Sequence, residues 1–354
     1  MPPHRPAFAL DEGICPALRL REQMSRPRIA VIGTGGTITA LGKTPLDLSE
    51  YIATGKMLEA DELVAKFSIV ETIAEILPIR MKAVSSTAVA FPEWKQVVLE
   101  VDRVVAAHPD LAGIVVLHGT ATLEETAYAL NLTAKVAVPI VVVGAQRPAS
   151  ALSSDAGLNF LNAVRTAAAP EARGLGVLVC LNDEIQAARE VTKTSTARLQ
   201  TFRSPDFGVL GHADGDAVAF YRRPIRKGAP DTEFDIRGLD SLPRVDIAYA
   251  YAGDDGTAVR AFVAAGARGV VMAGFPPGTV SPEEMTALEE AHKAGVVVLT
   301  SSRAAGRVVS TSKMRDAGFL TADNLTPQKA RILLALALTK TADPEEIRRM
   351  FATY

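Results

Sequence analysis

Gly113-Ile-Val-Val-Leu-His-Gly-Thr-Ala-Thr-Leu-Glu-Glu-Thr-Ala-Tyr128 is the stretch whose reading decides the fold. Its opening run, 113–117, is apolar with no polar residue interleaved, the pattern of a strand buried on both faces. After a His-Gly-Thr turn the apolar residues switch to helical spacing, and a helix is predicted over 123–130. A buried strand feeding a helix is the first half of a βαβ unit, and sheets built this way keep their chemistry at the carboxyl ends of the strands. Thr120, Ala121 and Thr122 therefore stand where reactive groups are expected. Thr122-Leu-Glu-Glu125 reads as a capping box, which gives Thr122, Glu124 and Glu125 structural duties. Thr120 has no such duty and lies near the positive end of the helix.

Outward from this stretch the same alternation repeats. Short β-branched runs occupy 29–32, 140–143 and 177–180, with helical patterns over 92–107 and 156–167. The tract 222–243 is rich in Pro, Gly and mixed charge and is the best linker candidate. Beyond it a second series begins, with strands expected over 245–249, 269–272 and 296–300. Helices are expected over 256–266 and 282–294, and a closing one starts at Pro327. The expected fold class is α/β with mainly parallel sheets. A larger N-terminal domain over 27–222, a linker over 223–243 and a smaller C-terminal domain over 244–354 are expected.

With 38 basic residues against 40 acidic ones the net charge is −2, so no basic excess argues for nucleic acid. No apolar run is long enough for a membrane helix. Cys15 and Cys180 cannot form a disulfide framework, and a reducing, cytoplasmic setting fits. Residues 1–26 lack the apolar core of a secretory signal and are expected to be a disordered arm or to reflect an upstream start.

Gly33-Thr-Gly-Gly-Thr-Ile-Thr39 follows the first strand. A dinucleotide-binding pattern would need glycine at Ile38, and a phosphate loop ending at Gly42-Lys43-Thr44 would need glycine at Thr37, so both readings fail. What remains is a tight turn rich in hydroxyls. Arg189-Glu-Val-Thr-Lys-Thr-Ser-Thr196 embeds Lys193 among hydroxyl residues, and a half-buried lysine can act as base toward a hydroxyl nucleophile.

Taken together, these segments resemble the bacterial-type L-asparaginase/glutaminase family. Gly33-Thr-Gly-Gly-Thr-Ile38 is similar to its first signature and His118-Gly-Thr-Ala-Thr-Leu-Glu-Glu-Thr-Ala127 to its second. Gly144-Ala-Gln-Arg-Pro148 with Ser154-Asp155, Val191-Thr-Lys-Thr194 and Leu325-Thr-Pro-Gln-Lys-Ala-Arg331 match as well, in order, over 28–354. The resemblance implies hydrolysis of a small carboxamide to carboxylate and ammonia, with neither metal nor cofactor, by a homotetramer built from dimers. By position, Thr37 resembles the nucleophile, Tyr51 the tyrosine of a mobile flap, and Thr120 and Lys193 a second threonine with its lysine. Ser86 resembles the serine that holds the substrate carboxylate. Thr87, Ala121 and Gly36 complete the expected substrate-binding set.

At Ala121 the sequence departs from the family, where an aspartate binds the substrate α-ammonium. An asparagine and a glutamate that share that duty align with Gly253 and roughly Thr311. Removing one carboxylate from a partly desolvated ion pair costs several kcal/mol, so three losses together point to a small carboxamide or cyclic amide without an α-ammonium, or with its amine elsewhere, such as a half-amide of a dicarboxylic acid. The alternatives are an asparaginase/glutaminase with a weakened site and a metabolite sensor without catalysis. His118 is read as a packed strand-end residue, Asp155 and Arg147 as loop pins, and Trp94 and Tyr128 as core or interface residues.

Overall fold

The computed structural model describes residues 26–215 and 217–354, so the expectation for 1–26 lies almost wholly outside the described residues. The first domain runs through β1 (Arg28–Gly33), β2 (Glu75–Arg80), β3 (Leu111–Leu117), β4 (Ile140–Val143), β5 (Val177–Leu181) and β6 (Glu184–Ala187). A two-residue pair follows, β7 (Thr192–Lys193) and β8 (Phe202–Arg203), then β9 (Gly211–Asp214) and β10 (Ala217–Phe220). Helices α1 (Ala60–Lys66), α2 (Phe91–Ala107), α3 (Leu123–Thr133) and α4 (Ala156–Ala168) cross between them.

The main sheet has the order β10-β9-β6-β5-β4-β3-β1-β2. Strands β1 to β5 are parallel, and β6, β9 and β10 join antiparallel. Read from β2, the parallel part runs 2-1-3-4-5, so the chain reverses its direction of travel between β1 and β3. Adjacent loops at that point leave on opposite faces and open a crevice at the strands' carboxyl ends.

Alternate residues of each strand serve different layers. Ile29 and Val31 of β1 face the cluster built with Leu63 of α1 and Phe160 of α4. Ala30 and Ile32 face Val98 of α2 and Leu130 of α3. Every residue of β3 except Ala112 is buried, as its uninterrupted apolar run requires. Strand β2 was not expected from the sequence. It is an edge strand bonded only to β1, which is where a residue such as Pro78 is tolerated.

No helix or strand lies between β10 and β11. The second sheet, β11 (Val245–Tyr249), β12 (Gly269–Gly274), β13 (Val297–Ser302) and β14 (Leu320–Thr321), is parallel and ordered as in the chain. It carries α5 (Thr257–Ala264) and α6 (Pro282–Lys293) on one face and α8 (Pro327–Ala337) on the other. The short α7 (Ser312–Asp316) precedes β14, and α9 (Pro344–Thr353) closes the chain. Helix α8 lies against α3, and Val245, Leu299 and Ile332 share one core cluster with Val116 and Leu130. The two domains are therefore joined by common hydrophobic packing.

Candidate active site

Loops from β1, β2 and β3 meet at the crevice through glycine. Gly36 has φ 97° and ψ 179°, a region open essentially to glycine alone. A Cβ there would also lie 2.3 Å from Gly119. A Cβ on Gly119 would in turn lie 2.6 Å from Ser86 Oγ. Two missing side chains thus let the backbones at Gly36 and Gly119 touch and the Ser86 side chain pack on Gly119, which brings Thr37, Thr120 and Ser86 to the same crevice. Thr122 Oγ1 adds a bond across the loops by donating to Ser86 O at 2.6 Å.

That bond corrects the capping-box reading. Thr122 is the residue before α3, but its hydroxyl makes no cap bond to the helix. The Glu125 amide bonds to the Thr122 carbonyl at 3.1 Å instead. The long-range carbonyl of Ser86 wins the hydroxyl over the local pattern.

Thr37 begins a single 3-10 turn, Thr37–Thr39, and its Oγ1 lies 3.0 Å from Tyr51 Oη. Tyr51 is carried by a loop in which Asp47 accepts the Lys43 and Glu50 amides at 3.1 and 2.9 Å. On the other side, Lys193 Nζ donates to Thr120 Oγ1 at 2.8 Å and to Gln146 Oε1 at 3.1 Å. Burial lowers the Lys193 pKa, and the Glu124 carboxylate partly opposes the shift. A lysine held this way is moved toward the neutral form that can take a proton.

Glu124, a structural residue on the sequence reading, has a different partner from the cap expected of its segment. It is buried, its Oε1 accepts the Lys193 amide at 3.2 Å, and its Oε2 has no partner. Gln146 was missed as a site residue. It sits in the Gly144–Pro148 segment, which was read only as a family match. Lys329 of α8 was missed too. Fully buried, it donates to the carbonyls of Ala188, Arg189 and Val191, which carry the chain into β7. Burial pushes its pKa down to about 8.

His118 is no base. Its Nδ1 donates to Gly119 O at 2.8 Å, while Trp94 Nε1 donates to Thr126 Oγ1, whose hydroxyl is left to donate to His118 Nε2 at 2.9 Å. Burial depresses the ring to about pKa 4. Trp94 and Tyr128 are buried core residues. Asp155 pins its loop by accepting the Gln146 and Arg147 amides, both at 2.9 Å, and Arg147 Nη1 donates to Ser153 O at 2.8 Å.

The recognition side is open. Ser86 is buried, whereas Ser85, Thr87 and Ala121 are exposed, and the Ser85 and Thr87 hydroxyls lie 2.9 Å apart. The acidic side chains nearby are directed to other groups. Glu124 holds the Lys193 amide, Asp155 holds loop amides, Asp47 shapes the Tyr51 loop, and Glu125 lines a cleft with Arg331. Gly253 lies in the loop after β11, and Thr311 spends its hydroxyl on the Met314 amide at the start of α7. The bonds of Thr120 and Lys193 reach neither. The cleft beside Glu125, of about 570 Å³, lies between the domains and is lined by Phe91, Trp94 and Arg331. It holds no hydroxyl paired with a base, so the crevice between β1 and β3 is the candidate active site.

Comparison with known proteins gives matches along nearly the whole chain. The model for "Asparaginase, N-terminal" matches residues 28–226, and that for "Glutaminase/Asparaginase C-terminal domain" matches residues 244–351. L-asparaginase 2 of Bacillus subtilis is 40% identical over 334 residues, covering 94% of this chain and 88% of its own. A probable periplasmic L-asparaginase of Haemophilus influenzae is 40% identical over 331 residues, 93% of each chain. Among solved structures, a probable cytoplasmic L-asparaginase of Campylobacter jejuni superposes with a TM-score of 0.88 at 38% identity, covering 93% of this chain and 100% of that one.

Proposed function

The chain belongs to the asparaginase family, and on that premise we propose that it hydrolyses a small carboxamide lacking the usual α-ammonium, with Thr37 as nucleophile. The activity class is that of hydrolases acting on C–N bonds other than peptide bonds. The observation that carries the proposal is the Lys193–Thr120 contact of 2.8 Å in the crevice that also holds the Thr37–Tyr51 pair. A threonine hydroxyl attacks poorly until a neighbour takes its proton, and here each of two threonines has a partner within hydrogen-bond reach.

In the proposed reaction Thr37 Oγ1 bonds to the amide carbon, the C–N bond breaks, and ammonia leaves with the proton. Water then adds to the ester carbon, giving one proton to the Thr120–Lys193 pair; the bond from that carbon to Thr37 Oγ1 breaks, the acid product leaves, and Thr37 Oγ1 takes the proton back. Backbone amides of the glycine turns can hold the oxygen that gains charge. Ser86 takes a carboxylate of the substrate, with Gly36 and Thr87 at the margin.

The substrate class rests on Ala121. An exposed methyl group offers no anion for an ammonium; of the acids named above, Asp47 and Asp155 are bonded to loop amides and Glu124 holds the Lys193 amide through one oxygen. A half-amide of a dicarboxylic acid brings only its carboxylate, for which Ser86 offers a hydrogen bond, and no ammonium that needs an anion. Asparagine would leave its ammonium unpaired, at a cost of about 3 to 5 kcal/mol where the pair is desolvated. The second reading, an asparaginase or glutaminase with a weakened site, is favoured by the names of the relatives. Ammonia release from asparagine, glutamine and half-amides such as succinamate separates the two. The proposal expects kcat/KM at least tenfold higher for a half-amide, and expects Ala121→Asp to reverse that order. Markedly better turnover of asparagine by the unchanged protein would refute it.

The proposal extends to a homotetramer, checked by light scattering. It also extends to a cytoplasmic location, supported by the name of the Campylobacter jejuni protein.

A further inference from the structure

The Lys193 amine is held at a second point that the mechanism does not use. Gln146 Oε1 accepts from Lys193 Nζ at 3.1 Å, opposite the 2.8 Å contact to Thr120. Three bonds make this acceptor rigid. The Gln146 amide nitrogen donates to Arg198 O at 3.0 Å, and a carbonyl can only accept, so the side-chain oxygen must face Lys193. Its backbone N–H is held by Asp155 Oδ2 at 2.9 Å, and Asp155 in turn is held by Asn159 Nδ2 at 3.0 Å. Ala121, the nearest residue after Thr120, supplies no acceptor.

We propose that Gln146 is a positioning residue that aims the lone pair of Lys193 at Thr120. A neutral amine has two N–H bonds and one lone pair, at the end of four freely rotating bonds. One contact to Thr120 leaves it free to spin. With one N–H fixed on Gln146 Oε1, the lone pair can point at the Thr120 hydroxyl, whose proton it is to take. An amide oxygen does this without adding charge. A carboxylate in its place would hold the ammonium form and keep the base protonated.

The charged groups facing Lys193 are few. From α3, the Glu124 carboxylate raises its proton affinity, against the effect of burial. Lys329 of α8 has the same Glu124 carboxylate as a charged neighbour. Asp155 is spent on the amides of the Gln146 loop and on Asn159. Gln146 is the neutral member of this set, and its neutrality is what the test exploits.

This inference rests on the amidase reading above, and its test separates the two. Gln146→Met keeps the length and removes the acceptor. The kcat plateau should fall about tenfold at every pH with KM unchanged. Gln146→Glu restores the acceptor and adds charge. Its plateau at high pH should stay within about threefold of the unchanged protein, while the acidic limb of kcat moves up by about one pH unit. Titration of Lys193 followed by NMR of its side-chain nitrogen should show the same upward shift in Gln146→Glu, whether or not any amide is cleaved. A shifted titration with no turnover of any amide would sink the amidase reading and leave the contact standing. A Met variant with a full plateau, or a Glu variant whose limb and titration both stay put, overturns the positioning role.

Discussion

The two halves of the crevice are built differently. On the base side, Lys193 has partners for its amine, its amide and the chain that leads to it, drawn from α3, the Gln146 loop and α8. On the lip side, Thr87 and Ala121 stand exposed and the Tyr51 loop presents Leu46, Leu48 and Ile52 to solvent. Chemistry that must repeat at a fixed geometry is over-determined by contacts within one chain. On the proposed reading, recognition falls to a surface that a single substitution can rewrite, and Ala121 is such a place.

Substitution of the base itself should have the largest effect. Lys193→Met keeps the bulk and leaves Thr120 without an acceptor for its proton. A fall in kcat of about 10³-fold or more is expected, with little change in thermal midpoint because Lys193 is only half-buried. Steady-state kinetics against the best amide substrate measures it. Retention of a tenth of the activity would show that the rigid half is scaffolding and not machinery.

Next comes the seam between the halves. Gly36→Ala must place a methyl against Gly119 at a φ that other residues avoid, so about 2 to 4 kcal/mol of stability is at stake. A lower thermal midpoint together with a large loss of kcat is expected, because the same contact fixes Thr37 relative to Thr120. A variant with an unchanged midpoint and full activity would mean that the two loops are not in contact when the enzyme works.

How far this was legible in the sequence depends on how local the signal is. The βα alternation and the strand-end turns are legible because each shows in a dozen neighbouring residues; Thr120 and Lys193 are candidates from their own surroundings, while Thr37 is marked only by the resemblance to the family signature. Strand β2 is not legible, since Glu75, Pro78 and Arg80 break every strand pattern except that of an edge. Thr122 was assigned to a local cap, yet Ser86, 36 residues away, takes its hydroxyl. Glu124 and Gln146 meet Lys193 across 69 and 47 residues, and nothing in their own neighbourhoods marks them. Lys329, in a segment matched only as motif, reaches back 138 residues to Val191. Pairings set by how sheets and domains close are visible only once the chain is folded.

The smallest effect should come from the charge behind the base, and its sign is fixed by the bonds. Glu124→Gln keeps an oxygen for the Lys193 amide but removes the negative charge that holds its proton affinity up against burial. The Lys193 pKa, already lowered, should fall further. A base is active when deprotonated, so the acidic limb of kcat should move to lower pH, by about half a unit to one unit for a charge at this range. The plateau should barely change, because Thr120 and Gln146 still hold the amine. This is the reverse of the shift expected when a carboxylate replaces Gln146. The two variants bracket the unchanged protein, and a limb moving the same way in both would show that Lys193 is not the group titrating in the rate.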